Sequence, residues 1–180
     1  MKSSKWKRVL FAFSLVFLGI LVGWLLPRPR LYAQEGSTCW PPIEAVTRTG
    51  FLFDRLRTEL LPSTPTGQHY LNLGYTYWNE LVRLIWYDET MVRLTWRVID
   101  LYSPAVDALL DGRGSKMRVS QEMVDELLRW LTEMEIRASP ELRQIIQEER
   151  AKVPWEDLVG LTVEEAWEKL QEAVPGEPSP

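Results

Sequence analysis

The residues of this chain best equipped for chemistry lie between Pro62 and Trp78, in the stretch PSTPTGQHYLNLGYTYW. It contains the only histidine, His69, next to Gln68 and Tyr70 and close to Tyr75, Tyr77 and Trp78. An imidazole among phenols is suited to proton transfer, and a small hydrolase built on His69 is one reading. A histidine base, however, is normally oriented by a carboxylate and serves a nucleophile. No serine or carboxylate stands at an obvious partner spacing from His69, and Glu80 is eleven residues further on. The expectation is therefore a surface or capping histidine on a helix, with no catalytic residue assigned.

Other candidate sets are equally incomplete. The nucleophile elbow Gly-x-Ser-x-Gly, the phosphate-binding loop, Gly-x-Gly-x-x-Gly and His-Glu-x-x-His are all missing from the sequence. Glu148/Glu149 and Glu164/Glu165 are paired acids, but neighbours on a helix point apart, so both pairs read as solvated faces. Asp111 and the glycines of DGRGSK suggest calcium, yet the alternating oxygen ligands and closing glutamate of a calcium loop are lacking, so a plain turn is expected. Neither a metal nor a cofactor is expected. Trp78 and Trp86 sit two helical turns apart on one side, a spacing that would let exposed rings stack on sugars or enter a lipid surface. The apolar residues around them in sequence argue for burial instead.

Charge narrows the partners. The 180 residues carry a net charge of -4, but residues 1–33 hold six basic and no acidic side chains. Residues 34–180 are left with 15 basic against 25 acidic residues, which disfavours phosphate and hence nucleic acid. The single cysteine, Cys39, rules out an internal disulfide framework.

The N-terminus reads as an export signal. Four basic residues precede an uncharged run from Val9 to Leu26, 18 residues long. As a helix it would span about 27 Å, near the hydrocarbon thickness of a bilayer. Trp6 and Trp24 bracket it at the depth where indoles prefer to lie. A signal anchor over residues 1–33 is expected. The alternative is a cleaved signal peptide ending at Ala33, which would leave the protein secreted. Four basic residues before the run and two after it keep the N-terminus in the cytoplasm and put residues 34–180 outside it. Gly19 and Gly23 form a close-packing pair on one face of the run, and Cys39 lies 13 residues beyond it. Together they raise the prospect of a homodimer, with an interchain disulfide through Cys39 in an oxidising compartment.

Residues 34–42 read as a linker, 43–174 as a helical domain and 175–180 as a tail. Helical periodicity runs from Ile43 to Leu61, where Pro62 stops it, and from Pro65 through Ile85. Thr64, Asp88, Ser120, Ser139 and Thr162 stand as helix caps, and Thr162-Val163-Glu164-Glu165 is a capping box. Pro104 is expected to kink or divide the helix begun at Glu89, with Ser103 as a new cap. No segment alternates with a period of two. The fold class expected is all-α, a compact bundle of six or seven short helices preceded by the N-terminal signal-anchor helix.

Leu56, Arg57, Leu60, Leu61, Thr64, Pro65, Gly67, Gln68 and Tyr70, followed by DLYSPAVDALLDGRG and ASPELRQIIQEE, resemble an all-helical module of exported bacterial proteins, often found at the ends of larger chains. The resemblance covers about residues 51–150. It implies a helical fold and an exported setting, and no activity or functional residue comes with it. The combined expectation is a non-enzymatic envelope protein, membrane-bound through residues 9–26, whose acidic helical domain meets a protein partner or serves a structural role. The alternatives are a carbohydrate or lipid binder using Trp78 and Trp86, and a hydrolase using His69.

Overall fold

The computed structural model describes residues 43–173, with side chains from Thr49 onward. Seven α-helices follow one another: α1 (Ile43–Arg55), α2 (Pro65–Thr76), α3 (Trp78–Trp86), α4 (Glu89–Leu110), α5 (Gln121–Arg137), α6 (Pro140–Ala151) and α7 (Val163–Gln171). Among the described residues there is no strand, and Arg118 and Thr162 form one isolated antiparallel bridge. Residues 1–42, on which the expected signal anchor, the expected linker, Gly19, Gly23 and Cys39 fall, lie outside the described residues, as do residues 174–180. No helix among the described residues is long and apolar enough to cross a membrane.

Local chemistry sets the helix starts. Side chains of Thr64, Asp88, Ser120, Ser139 and Thr162 each accept a backbone N–H in the first turn of α2, α4, α5, α6 and α7. Such bonds satisfy donors that have no partner within the helix. At α7 the box is reciprocal, because the Glu165 carboxylate returns to the Thr162 N–H at 2.8 Å.

α4 is the central helix and packs against α1, α3, α5 and α7. α5 runs antiparallel to it. The pairing is marked by Arg137–Asp88 at one end, Trp130–Thr95 in the middle and Tyr102–Met123 further along. The last two are buried neutral hydrogen bonds, each 2.9 Å long, from the Trp130 indole N–H to Thr95 Oγ1 and from the Tyr102 hydroxyl to the Met123 carbonyl. They sit in a core that also holds Val98, Ile99, Leu127, Leu131 and Met134.

Three sequence expectations need correction. The first helix does not run regularly to Leu61. Beyond Arg55 it widens into a π turn over Leu56–Leu60 and then tightens into a 3₁₀ turn over Leu61–Ser63. The Leu61 N–H reaches back five residues to the Leu56 carbonyl, which turns both leucines into the core, where both are fully buried. The stripe from Pro65 to Ile85 is not one helix either, because it breaks at Tyr77, which has φ -100° and ψ 13°. Thr76 Oγ1 bonds back to the Asn72 carbonyl, a bond that bends helices, and the Tyr77 hydroxyl is drawn to Glu141 on α6. Conversely, Pro104 does not divide α4. Ser103 bonds back to the Ile99 carbonyl at 2.7 Å instead of capping a new helix, and Pro104 itself is exposed, which limits the harm of its missing N–H.

Candidate functional site

His69 finds its carboxylate 80 residues away. Its Nε2 lies 3.3 Å from Glu149 Oε1 on α6. The next residue on α2, Tyr70, donates its hydroxyl to the other oxygen of the same carboxylate, also at 3.3 Å. Lys152, just past the end of α6, pairs with Glu149 as well. Glu149 is only 4% exposed, and the His69 side chain is 31% exposed. The two rings on α2 meet edge to face with centroids 5.1 Å apart.

The sequence reading of Glu149 as a solvated acid is therefore corrected. Its neighbour Glu148 behaves as read and accepts from Gln144 at the surface. Glu149 instead falls on the stripe of Leu142, Ile146 and Val153, all buried. A carboxylate at an apolar stripe position was the signal available in the sequence. His69 is likewise not a surface cap, since it is half-buried and bonded.

Burial alone pushes the Glu149 carboxyl up, but hydrogen bonds and charge from His69 and Lys152 outweigh it and hold the group below the ordinary carboxyl value. The anion is thus the folded form. Burial raises the Tyr70 hydroxyl well above its ordinary range, and the Glu149 charge adds to the shift, so the phenol stays a donor. The arrangement can hold an imidazole in a fixed orientation and fasten α2 to α6. Ser63, Ser103, Ser120 and Ser139 are all occupied with backbone bonds or caps elsewhere.

The other candidates are placed apart from His69. Trp78 and Trp86 are half-buried and pack against the core, and Trp86 meets Trp96 of α4 edge to face at 6.4 Å. Asp111 is taken up by two arginines, Arg55 at 3.3 Å and Arg113 at 3.1 Å, within the turn that Gly112 makes with φ 65°. Among the described residues no group of three or more His, Cys, Asp or Glu is placed to hold a metal ion.

Residues that carried the resemblance explain themselves at the reversal between α1 and α2. Leu56 and Leu61 are buried, Thr64 caps α2, Gln68 Nε2 donates to the Pro62 carbonyl at 2.9 Å, and Tyr70 reaches Glu149. Fold and site together define a class, an all-α domain in which a buried glutamate ties a histidine and a tyrosine of one helix to another. No family model, curated protein or solved structure matches the chain.

Proposed function

We propose that this chain is an envelope protein that displays an acidic all-helical domain outside the cytoplasm, for protein interaction or a structural role, and that it is not an enzyme. The observation that carries the reading is the engagement of His69. The only imidazole of the chain is fastened to a buried carboxylate that joins two helices, which suits a structural part better than a base awaiting substrate. The uncharged run from Val9 to Leu26, with basic residues before it, supports retention at the membrane. Half-burial of Trp78 and Trp86 leaves little flat ring surface for a sugar to stack on, so the interaction reading stands ahead of the carbohydrate one. Close packing through Gly19 and Gly23, reported by a Cys39 disulfide, would make the anchored form a homodimer.

Cell fractionation combined with sequencing of the mature N-terminus tests the anchor. A membrane-bound chain that keeps residues 1–33 is expected, and a soluble chain beginning at Gln34 would overturn retention. Hydrolysis of ester, peptide or glycoside substrates by the purified full chain, abolished by His69→Ala without loss of the fold, would overturn the non-enzymatic reading.

A further inference from the structure

Two kinds of polar tie hold this domain together, and they differ in what acid does to them. The α4–α5 pair is joined inside by neutral donors and acceptors, Trp130 to Thr95 and Tyr102 to the Met123 carbonyl, with ion pairs such as Arg137–Asp88 and Arg97–Glu126 at its rim. Nothing in those two bonds takes up a proton between neutral and mildly acidic pH. The seam between α2–α3 and α6 is built differently, on three carboxylates. Glu149 accepts from His69 and Tyr70. Glu141 accepts from the Tyr77 hydroxyl at 3.0 Å. Glu80 on α3 accepts from both the backbone N–H and the hydroxyl of Ser139, at 2.6 and 2.9 Å, at the start of α6.

We propose that the seam between α2–α3 and α6 is an acid-sensitive latch, which opens on protonation of Glu149 while the α4–α5 pair stays closed.

The groups facing the latch come from every element around it. His69 and Tyr70 of α2 and Lys152 beyond α6 surround Glu149, and Tyr77 lies between Glu141 and Glu80. On its other side α6 is secured by arginines. Arg143 donates to the carbonyls of Glu135 and Ala138, and Arg150 pairs with Glu135 of α5 at 2.9 Å. The two carbonyl bonds are indifferent to acid, so α6 keeps its hold on α5 when the seam loosens. α2 keeps a contact with α7 through Thr66 and the Gln171 carbonyl. Opening therefore separates two bodies that each retain other attachments, and it uncovers Tyr70, fully buried when the seam is closed.

The direction of the pH effect follows from the site. Folded Glu149 lies below the ordinary carboxyl value of 4.5 and returns toward that value when released. The tie is complete above that value and is lost as pH falls through the lower, folded one. A buried neutral carboxyl also gives up its attraction for Lys152 at the moment it takes the proton. For a domain outside the cytoplasm, the pH of the medium would be the input and the uncovered Tyr70 ring the output.

Hydrogen exchange of the full chain in detergent, resolved by peptide and corrected for intrinsic rate, tests the latch at pH 7 and at steps down to about pH 3.5. Amides of α2 and α6 should exchange roughly tenfold faster or more at acid pH, while those of α4 and α5 change little. Glu149→Gln should reproduce the α2 and α6 loosening at pH 7 and flatten their response to acid. Tyr77→Phe, at the surface end of the seam, gives a milder version in a variant that keeps the buried tie. Simultaneous loss of protection in all helices would overturn the proposal. So would a seam whose exchange is unmoved by acid in the unmodified chain, whatever the variants do.

Discussion

Gly67 on α2 lies directly against Leu61, so that a β-carbon at Gly67 would come 2.2 Å from the Leu61 carbonyl oxygen and 2.6 Å from its α-carbon. Both distances involve backbone, which cannot swing aside as a side chain can. The relationship fixes how sharply the chain reverses between α1 and α2, and it is what places His69 and Tyr70, two and three residues later, against α6. Gly67→Ala should therefore force the reversal open, destabilising the domain by about 3 kcal/mol or more, at the upper end of overpacking penalties. Chemical denaturation measures it. Gly160, with φ 83° and open space where a β-carbon would go, is the contrast, and Gly160→Ala should cost only about 1–2 kcal/mol, from backbone strain.

A second expectation concerns the buried bond from Trp130 to Thr95. Thr95→Val keeps the shape of the side chain but deprives a fully buried indole N–H of its acceptor, and should cost about 1–3 kcal/mol. Trp130→Phe removes the donor and also a large volume. The double variant should be more stable than the sum of the single losses, because the hydrogen bond is lost only once. Additive losses in a double-mutant cycle would show that the bond contributes nothing.

Alkaline pH should also destabilise the fold. Burial raises the Tyr70 and Tyr102 hydroxyls well above their ordinary value of 10.0. A group raised on folding contributes stability that is fully present below its unfolded value and is lost as pH rises from there through the folded one. Denaturation midpoints should therefore hold steady to about pH 9 and fall beyond about pH 10. Tyr102→Phe should start from a lower midpoint, having lost the bond to the Met123 carbonyl, and then fall less steeply. An equally steep fall in that variant would assign the alkaline response elsewhere.

The helix caps were legible in the sequence because a cap is a bond between residues two or three positions apart. Thr64, Asp88, Ser120, Ser139 and Thr162 all act as read. So was the all-helical class, which follows from apolar spacing alone. The π turn over Leu56–Leu60 was not legible, because it delivers Leu61 against Gly67, a contact made only once the chain has folded back. Nor was the break at Tyr77, whose hydroxyl answers to Glu141 on a helix 64 residues away. The partner of His69 escaped for the same reason. A search for carboxylates within a few turns of His69 cannot reach Glu149, although Glu149 had given itself away by standing on the apolar stripe of Leu142 and Ile146. The position of Pro104 was plain, but that α4 runs on through it was not, because that depended on the proline lying on the exposed side of the helix.

Replacements at three sites test whether the opening stretch is structural, and they should rank in a definite order. Leu81 on α3 is 1% exposed and belongs to the core, so Leu81→Ala should cost about 2–5 kcal/mol through lost burial and the cavity left behind. His69→Ala removes one donor from a buried carboxylate that keeps Tyr70 and Lys152. Its expected cost of about 1.5–3 kcal/mol is that of a hydrogen bond to a charged group, and it exceeds what an unbonded surface histidine would show. Tyr87 is 85% exposed at the joint between α3 and α4, and Tyr87→Ala should change stability by no more than about 0.5 kcal/mol. Urea midpoints of the three variants, compared with the unmodified chain at neutral pH, give the ranking directly. A neutral His69→Ala would mean that the imidazole adds nothing to the tie, and the case for His69 as a structural part would fall with it. A neutral Leu81→Ala would contradict the packing of α3 on the core.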